Sequence, residues 1–127
     1  MAFNILVVDD DPVVRKVIIR ALSASGLRLV EVYEAGDGKE ALRLINEHEI
    51  DFALVDLHMP VMDGKELMEK LKNDPDMDKL PLIFISGEHD PGQLDPLERR
   101  SYGFIQKPFK PETLGEKIVN LLSPSVA

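Results

Sequence analysis

Three short apolar runs, separated by segments of helical period, predict an α/β domain built on a parallel sheet. The runs are 5–8 (Ile-Leu-Val-Val), 52–55 (Phe-Ala-Leu-Val) and 82–85 (Leu-Ile-Phe-Ile). Each is too short for a helix and lacks polar alternation, as strands buried on both faces do. Acidic, Gly or Pro residues follow each one closely. The length of 127 residues fits a single domain, and a chain of this size buries about two-thirds of its unfolded surface.

The elements follow in order. After the first strand, Asp11 and Pro12 supply a cap and a first-turn proline. Val13, Val14, Val17, Ile18, Ala21 and Leu22 then form one apolar stripe, and Gly26 lies just past its end. Residues 29–33 alternate in part and read as a strand nearer an edge. Asp37 with Glu40 three residues on is a near capping box for a second helix carrying Leu42, Leu44 and Ile45. Leu67, Met68 and Leu71 mark a third helix, opened by Asp63-Gly64. Phe104-Ile105 is a short fifth strand, and Leu114, Ile118, Leu121 and Leu122 after Pro111 mark the last helix. The domain is expected to span 1–124, with 125–127 a loose tail and Ser123-Pro124-Ser125 already loose.

One crossover is irregular. Residues 87–96 hold two prolines and two glycines where a helix belongs; inside a helix proline costs ~3 kcal/mol and glycine ~1. A loop is expected there, with a short or disrupted helix from Pro96 onward.

Composition narrows the chemistry. With 15 Lys and Arg against 23 Asp and Glu, the formal charge is -8. A field of that sign repels phosphate backbones and anionic lipid, so neither nucleic acid nor a membrane is an expected partner. A cation, or a basic patch on another protein, fits better. The absence of cysteine excludes disulfides, thiolate metal sites and cysteine nucleophiles. No apolar run approaches the ~20 residues of a membrane helix, and Met-Ala-Phe-Asn is no signal peptide, so a cytoplasmic location is expected.

In open parallel sheets, ligands bind at the carboxyl ends of the strands. After the first strand come Asp9, Asp10 and Asp11; after the third, Asp56; after the fourth, Ser86; after the fifth, Lys107. Carboxylates gathered at one edge repel unless a cation intervenes, and hard oxygen ligands suit magnesium. The same cluster suits an acyl phosphate, with an Asp nucleophile, a metal, and Lys and Ser on the remaining oxygens. Asp11 reads simply as a helix cap. Asp56 is harder to dismiss, because it closes a fully apolar strand.

These segments, Ile5-Leu6-Val7-Val8-Asp9-Asp10-Asp11, Asp56-Leu57-His58-Met59-Pro60-Val61-Met62-Asp63-Gly64, Ser86 and Lys107-Pro108-Phe109, resemble the receiver domain of two-component response regulators. The likeness runs from residue 5 to 122. It implies a flavodoxin-like, doubly wound five-stranded sheet of order 2-1-3-4-5. It also implies that Asp56 accepts a phosphoryl group from a sensor histidine kinase or histidine phosphotransfer protein. Asp10, Asp56 and the backbone carbonyl of His58 would bind magnesium, and Asp9 would hold a metal-bound water. Lys107 would pair with the phosphoryl oxygens, held there by a cis bond to Pro108. Ser86 and Phe104 would be the switch residues, changing how a downstream effector protein or domain is bound. Such a domain is regulatory, catalysing only its own phosphorylation and dephosphorylation.

Several positions depart from the family pattern. Residue 86 is Ser where Thr is commoner, Gly87 replaces a small alanine, and Arg99-Arg100-Ser101 replaces a small-residue turn. Phe104 has no hydroxyl and would gate by packing alone. His58 holds a position that in the family tunes acyl-phosphate lifetime. His48 and His89 read as surface residues. The irregular crossover lies on the face that carries output and dimerisation in the family, so standard dimerisation through it is expected to be impaired or absent. Two other functions compete. A magnesium-dependent aspartyl-phosphate phosphatase wants a second Asp two residues after the nucleophile, where this chain has His58. A phosphorylation-independent interaction module that keeps only the fold would have no use for the retained acids, Ser86 and Lys107.

Overall fold

The computed structural model describes residues 2–87, 103–107 and 109–126. Five strands are present: β1 (Ala2–Val8), β2 (Arg28–Ala35), β3 (Phe52–Asp56), β4 (Leu82–Ser86) and β5 (Gly103–Gln106). Four helices lie among the described residues: α1 (Pro12–Ser23), α2 (Gly38–Glu47), α3 (Gly64–Lys72) and α4 (Pro111–Val126). The sheet is parallel throughout, in the order β2-β1-β3-β4-β5. This is the doubly wound flavodoxin-like arrangement that the resemblance implies.

The period of two along a strand sends alternate side chains to opposite faces. Leu6, Val8, Ala53, Val55 and Phe84 meet Leu67, Met68 and Leu71 of α3 on one face. Ile5, Val7, Phe52, Leu54, Ile83 and Ile85 meet Ile18 and Leu22 of α1 and Leu114 and Ile118 of α4 on the other. Two apolar layers therefore clamp the three central strands, whose apolar runs are unbroken because both faces are covered. Each fully buried Leu, Ile or Phe stabilises the fold by roughly 1.5–3 kcal/mol.

Aspartates start three helices. The Asp11 carboxylate accepts from the Val13 N–H, Asp37 from Glu40 at 2.8 Å and Asp63 from Glu66 at 2.9 Å. Each cap stabilises by about 1 kcal/mol. Glu40 reaches back to the Gly36 N–H at 3.3 Å, one residue upstream of its cap, so the box closes around Gly36.

Close approach explains two glycines. An added Cβ at Gly64 would lie 2.6 Å from the Asp56 carbonyl oxygen, so α3 starts against the end of β3. At Gly115 it would lie 2.2 Å from Ser25 Cβ, where α4 meets the end of α1.

Boundaries differ from expectation in three places. The first strand begins at Ala2, because Ala2 and Phe3 already pair with Arg28 and Leu29 of β2. Pairing with β1 likewise extends β2 over 28–35, beyond the expected 29–33. The last helix runs to Val126, so the backbone at Ser123-Pro124-Ser125 is helical rather than loose. Extending an existing helix costs far less than nucleating one. The irregular crossover, with its expected loop and remodelled output face, lies at 88–102, outside the described residues, as do Arg99-Arg100-Ser101, His89 and Pro108.

The pairing of β1 with β2 shifts between Phe3 and Asn4: Phe3 pairs with Leu29 but Asn4 with Glu31. Val30 is therefore an extra residue on the edge strand, a bulge, and it is 60% exposed.

Candidate functional site

The parallel sheet brings the carboxyl ends of its strands to one edge, and the singled-out positions collect there. Asp9 follows β1, its N–H bonded to the Ala35 carbonyl at 3.1 Å where β2 ends. Asp56 is the last residue of β3. Asp9 and Asp56 are the buried charged residues among those described, at 1% and 8% exposure, while Asp10 is exposed. One carboxylate oxygen from each of Asp9, Asp10 and Asp56 lies within 4.8 Å of the others.

Lys107, just past β5, reaches across to this cluster. Its Nζ lies 3.1 Å from Asp9 Oδ2 and 3.6 Å from Asp56 Oδ2. Burial alone would lower the pKa of this ammonium. The hydrogen bond to Asp9 and the charges of Asp56 and Asp9 outweigh that and raise it above the ordinary lysine value. For Asp56, burial first and the Asp9 charge second push the pKa above 3.8. Lys107 and the His58 N–H, which donates to Asp56 Oδ1 at 3.4 Å, pull the other way without prevailing. Asp56 is thus a carboxylate held under electrostatic pressure, and a cation among the three acids would relieve it.

Ser86 ends β4 opposite Gln106, and the neighbouring Ile85 pairs with Asp56, so residue 86 sits at the same edge. Phe104 is half-buried on β5, paired with Phe84 and packed on the same apolar layer. His58 follows β3 by two residues and is exposed. Between it and α3, Met62 donates to the Pro60 carbonyl at 2.7 Å around Val61, whose φ is +67°. A β-branched residue is strained there by about 1–3 kcal/mol. His48 is exposed, as the sequence implies, and also stacks on Tyr33 with ring centroids 4.4 Å apart.

Sequence reasoning missed Arg15. From the first turns of α1, its guanidinium donates to the Asp9 backbone carbonyl and, through Nε, to Glu34 Oε1 at 3.0 Å. It ties the ends of β1 and β2 together directly behind the acids. A cation one helical turn past Asp9, Asp10 and Asp11 was the available signal.

Beside the acids lies an apolar groove of about 540 Å³, lined by Val13, Val14, Val17, Gly87, Lys107 and Phe109. Val13 is 67% exposed in it. No helix among the described residues is long and apolar enough to cross a membrane.

Comparison with known proteins agrees with this geometry. The sequence model for the response regulator receiver domain matches residues 5–119. The "Probable transcriptional regulator ycf29" of Porphyra purpurea is 34% identical over 96% of this chain and 57% of its own length. Chemotaxis protein CheY-3 of Vibrio cholerae is 32% identical over 91% of this chain and 88% of its own. The solved structure of chemotaxis response regulator CheY4 of Vibrio cholerae superposes with a TM-score of 0.83 at 28% identity, covering 96% of this chain and 100% of that one. The chain spans about half the length of several relatives it matches. From the order of its strands, the acids at their carboxyl ends and the match across nearly its whole length, the chain belongs to the receiver domains of response regulators.

Proposed function

We propose that this receiver domain is a phosphorylation-controlled switch in which Asp56 is the phosphoacceptor. The observation that carries the reading is the buried Asp56 carboxylate, flanked by Asp9, Asp10 and the Lys107 ammonium. A carboxylate oxygen of Asp56 attacks the phosphorus of a phosphohistidine. The P–O bond forms as the P–N bond breaks, and the departing imidazole nitrogen keeps the bonding pair and takes up a proton. Lys107 follows the charge onto the new phosphoryl oxygens, and Asp9 holds that ammonium in place. The phosphoryl group adds roughly -1.5 to -2 charge and three acceptor oxygens, which Asp9, Asp10 and Asp56 alone would repel.

The three acids fit magnesium: they offer only hard oxygen donors, one of them on an exposed side chain that leaves room for water. Asp10, Asp56 and the His58 carbonyl would hold the ion, with Asp9 on a bound water. When bound, magnesium neutralises charge on the phosphoryl oxygens. Ser86 at the end of β4 and Phe104 on β5 are the residues that respond, so that an effector protein or domain is bound differently. The apolar groove of Val13, Val17 and Phe109 suits docking of the donor, a histidine kinase or phosphotransfer protein, beside Asp56.

The test is intact mass after incubation with a small acyl phosphate, with and without magnesium, beside Asp56→Asn. The expected result is one phosphate adduct that needs magnesium and disappears in the variant. A folded protein with no adduct would instead favour a phosphorylation-independent interaction module.

A further inference from the structure

At the opposite pole of the sheet, a second groove of about 690 Å³ lies between the α2–β3 and α3–β4 connections, at the amino ends of β3 and β4. Four apolar side chains form the floor of an otherwise polar lining. Ile45, Ile50, Met77 and Leu80 pack on the α2/α3-side core while each remains half-exposed.

Its rim is acidic. Glu49, Asp51, Asp74 and Asp76 surround the floor, with Lys79 as the one lysine or arginine lining it among the described residues. Among the described residues no ion pair neutralises any of the four carboxylates; Asp51 accepts from the Asn4 N–H and Asp74 from the Asp76 N–H. The carboxyl end of α2 points its partial negative charge at the same place, with no basic residue in its last turn, whereas α3 ends with Lys70 and Lys72. The rim acids do not form a metal cluster: among the described residues, the one group of three acids close enough to share an ion is Asp9, Asp10 and Asp56.

We propose that this groove docks a basic amphipathic segment of a partner protein. The segment lays apolar side chains on Ile50, Met77 and Leu80 and sets lysines or arginines against the rim. Charge chooses the occupant. Nucleic acid and anionic lipid are repelled, and a second copy of this chain, itself at -8, brings more acid than base. Met77 among the floor side chains adapts to differing apolar partners. The rim surrounds an apolar floor, so binding combines burial with charge pairing and survives moderate salt better than charge pairing alone. The groove is at the far end of the strands from Asp56, so docking here does not rest on phosphorylation.

The probe is a synthetic 14-residue peptide of leucine and lysine in helical period, titrated into isotope-labelled protein at physiological salt. Amide shifts are expected to centre on 45–51 and 74–81. Asp74→Asn with Asp76→Asn, which keeps the acceptor for the Asp76 N–H, should weaken binding about tenfold, as two rim charges of modest worth imply. Glu49→Gln alone should weaken it about threefold. Glu112→Gln with Glu116→Gln on α4 changes net charge equally and should leave affinity within about twofold. Shifts spread over the surface, equal losses in the two double variants, or no binding would each overturn the proposal. Asp56→Asn should bind the peptide as the parent does, which separates this test from that of the phosphoacceptor.

Discussion

Asp56 shows how one residue's placement sets both its chemistry and its cost. Its pKa is raised, chiefly by burial and then by Asp9, so the folded protein holds that proton more tightly than the unfolded chain. Stability linked to this group is therefore greatest at low pH and falls as pH rises from 3.8 through the raised folded value. In metal-free protein, Asp56→Asn should raise the melting temperature at neutral pH. The gap should close as the pH falls below 3.8, where both states are protonated. Thermal melts in a chelator across that range give the answer, and a variant less stable at neutral pH would contradict it. Asp9, Asp10, Asp56 and Lys107 were legible in the sequence because each follows an apolar run, and parallel strands bring such positions together. Arg15 was not, because its partner at the site is a backbone carbonyl, which no side-chain pattern displays. The stack of His48 on Tyr33 was equally invisible, since 14 residues of intervening chain separate its members.

At the scale of elements, the junction of β3 and α3 is the tightest constraint on the site. The Gly64 N–H bonds the Leu57 carbonyl at 3.0 Å, and its missing Cβ makes room for the Asp56 carbonyl. Gly64→Ala should destabilise the fold by about 1–3 kcal/mol, as overpacking against backbone does. It should also slow phosphorylation of Asp56, because the strain falls on that residue's own carbonyl. Urea unfolding and adduct formation measured on the same preparation check both effects. The sequence marks Asp63-Gly64 as a cap and turn, but the reason glycine is needed lies in the approach of two elements. Strand cores were legible for a similar physical reason: double-sided burial leaves an uninterrupted apolar run. Strand ends were not, since Ala2, Phe3 and Arg28 join the sheet through backbone pairing and carry no apolar pattern of their own.

For the whole molecule, the sheet separates two kinds of negative charge. At one pole, three carboxylates share a space small enough for an ion; at the other, four line an open groove. Magnesium should therefore act on stability through the first pole alone. At a hundred times its dissociation constant it should stabilise the folded protein by about 2.7 kcal/mol. Asp10→Asn with Asp56→Asn should abolish that gain, and Asp74→Asn with Asp76→Asn should leave it intact. Melting curves against magnesium concentration distinguish these cases. The net charge of -8 was readable from composition, but its division between the poles depends on which loops the crossovers carry to which end.

The extra residue at Val30 bears on how these molecules behave when crowded together. A growing fibril or a swapped dimer needs an outer strand that offers evenly spaced backbone donors and acceptors as a template. The bulge breaks that spacing two residues into β2, so an incoming strand can match the segment before it or the segment after it, but not both. Arg28, Glu31 and Glu34 along the same margin add charges that a templated copy would have to place beside their own kind. The β2 margin of the sheet is thereby a poor seed for polymerisation.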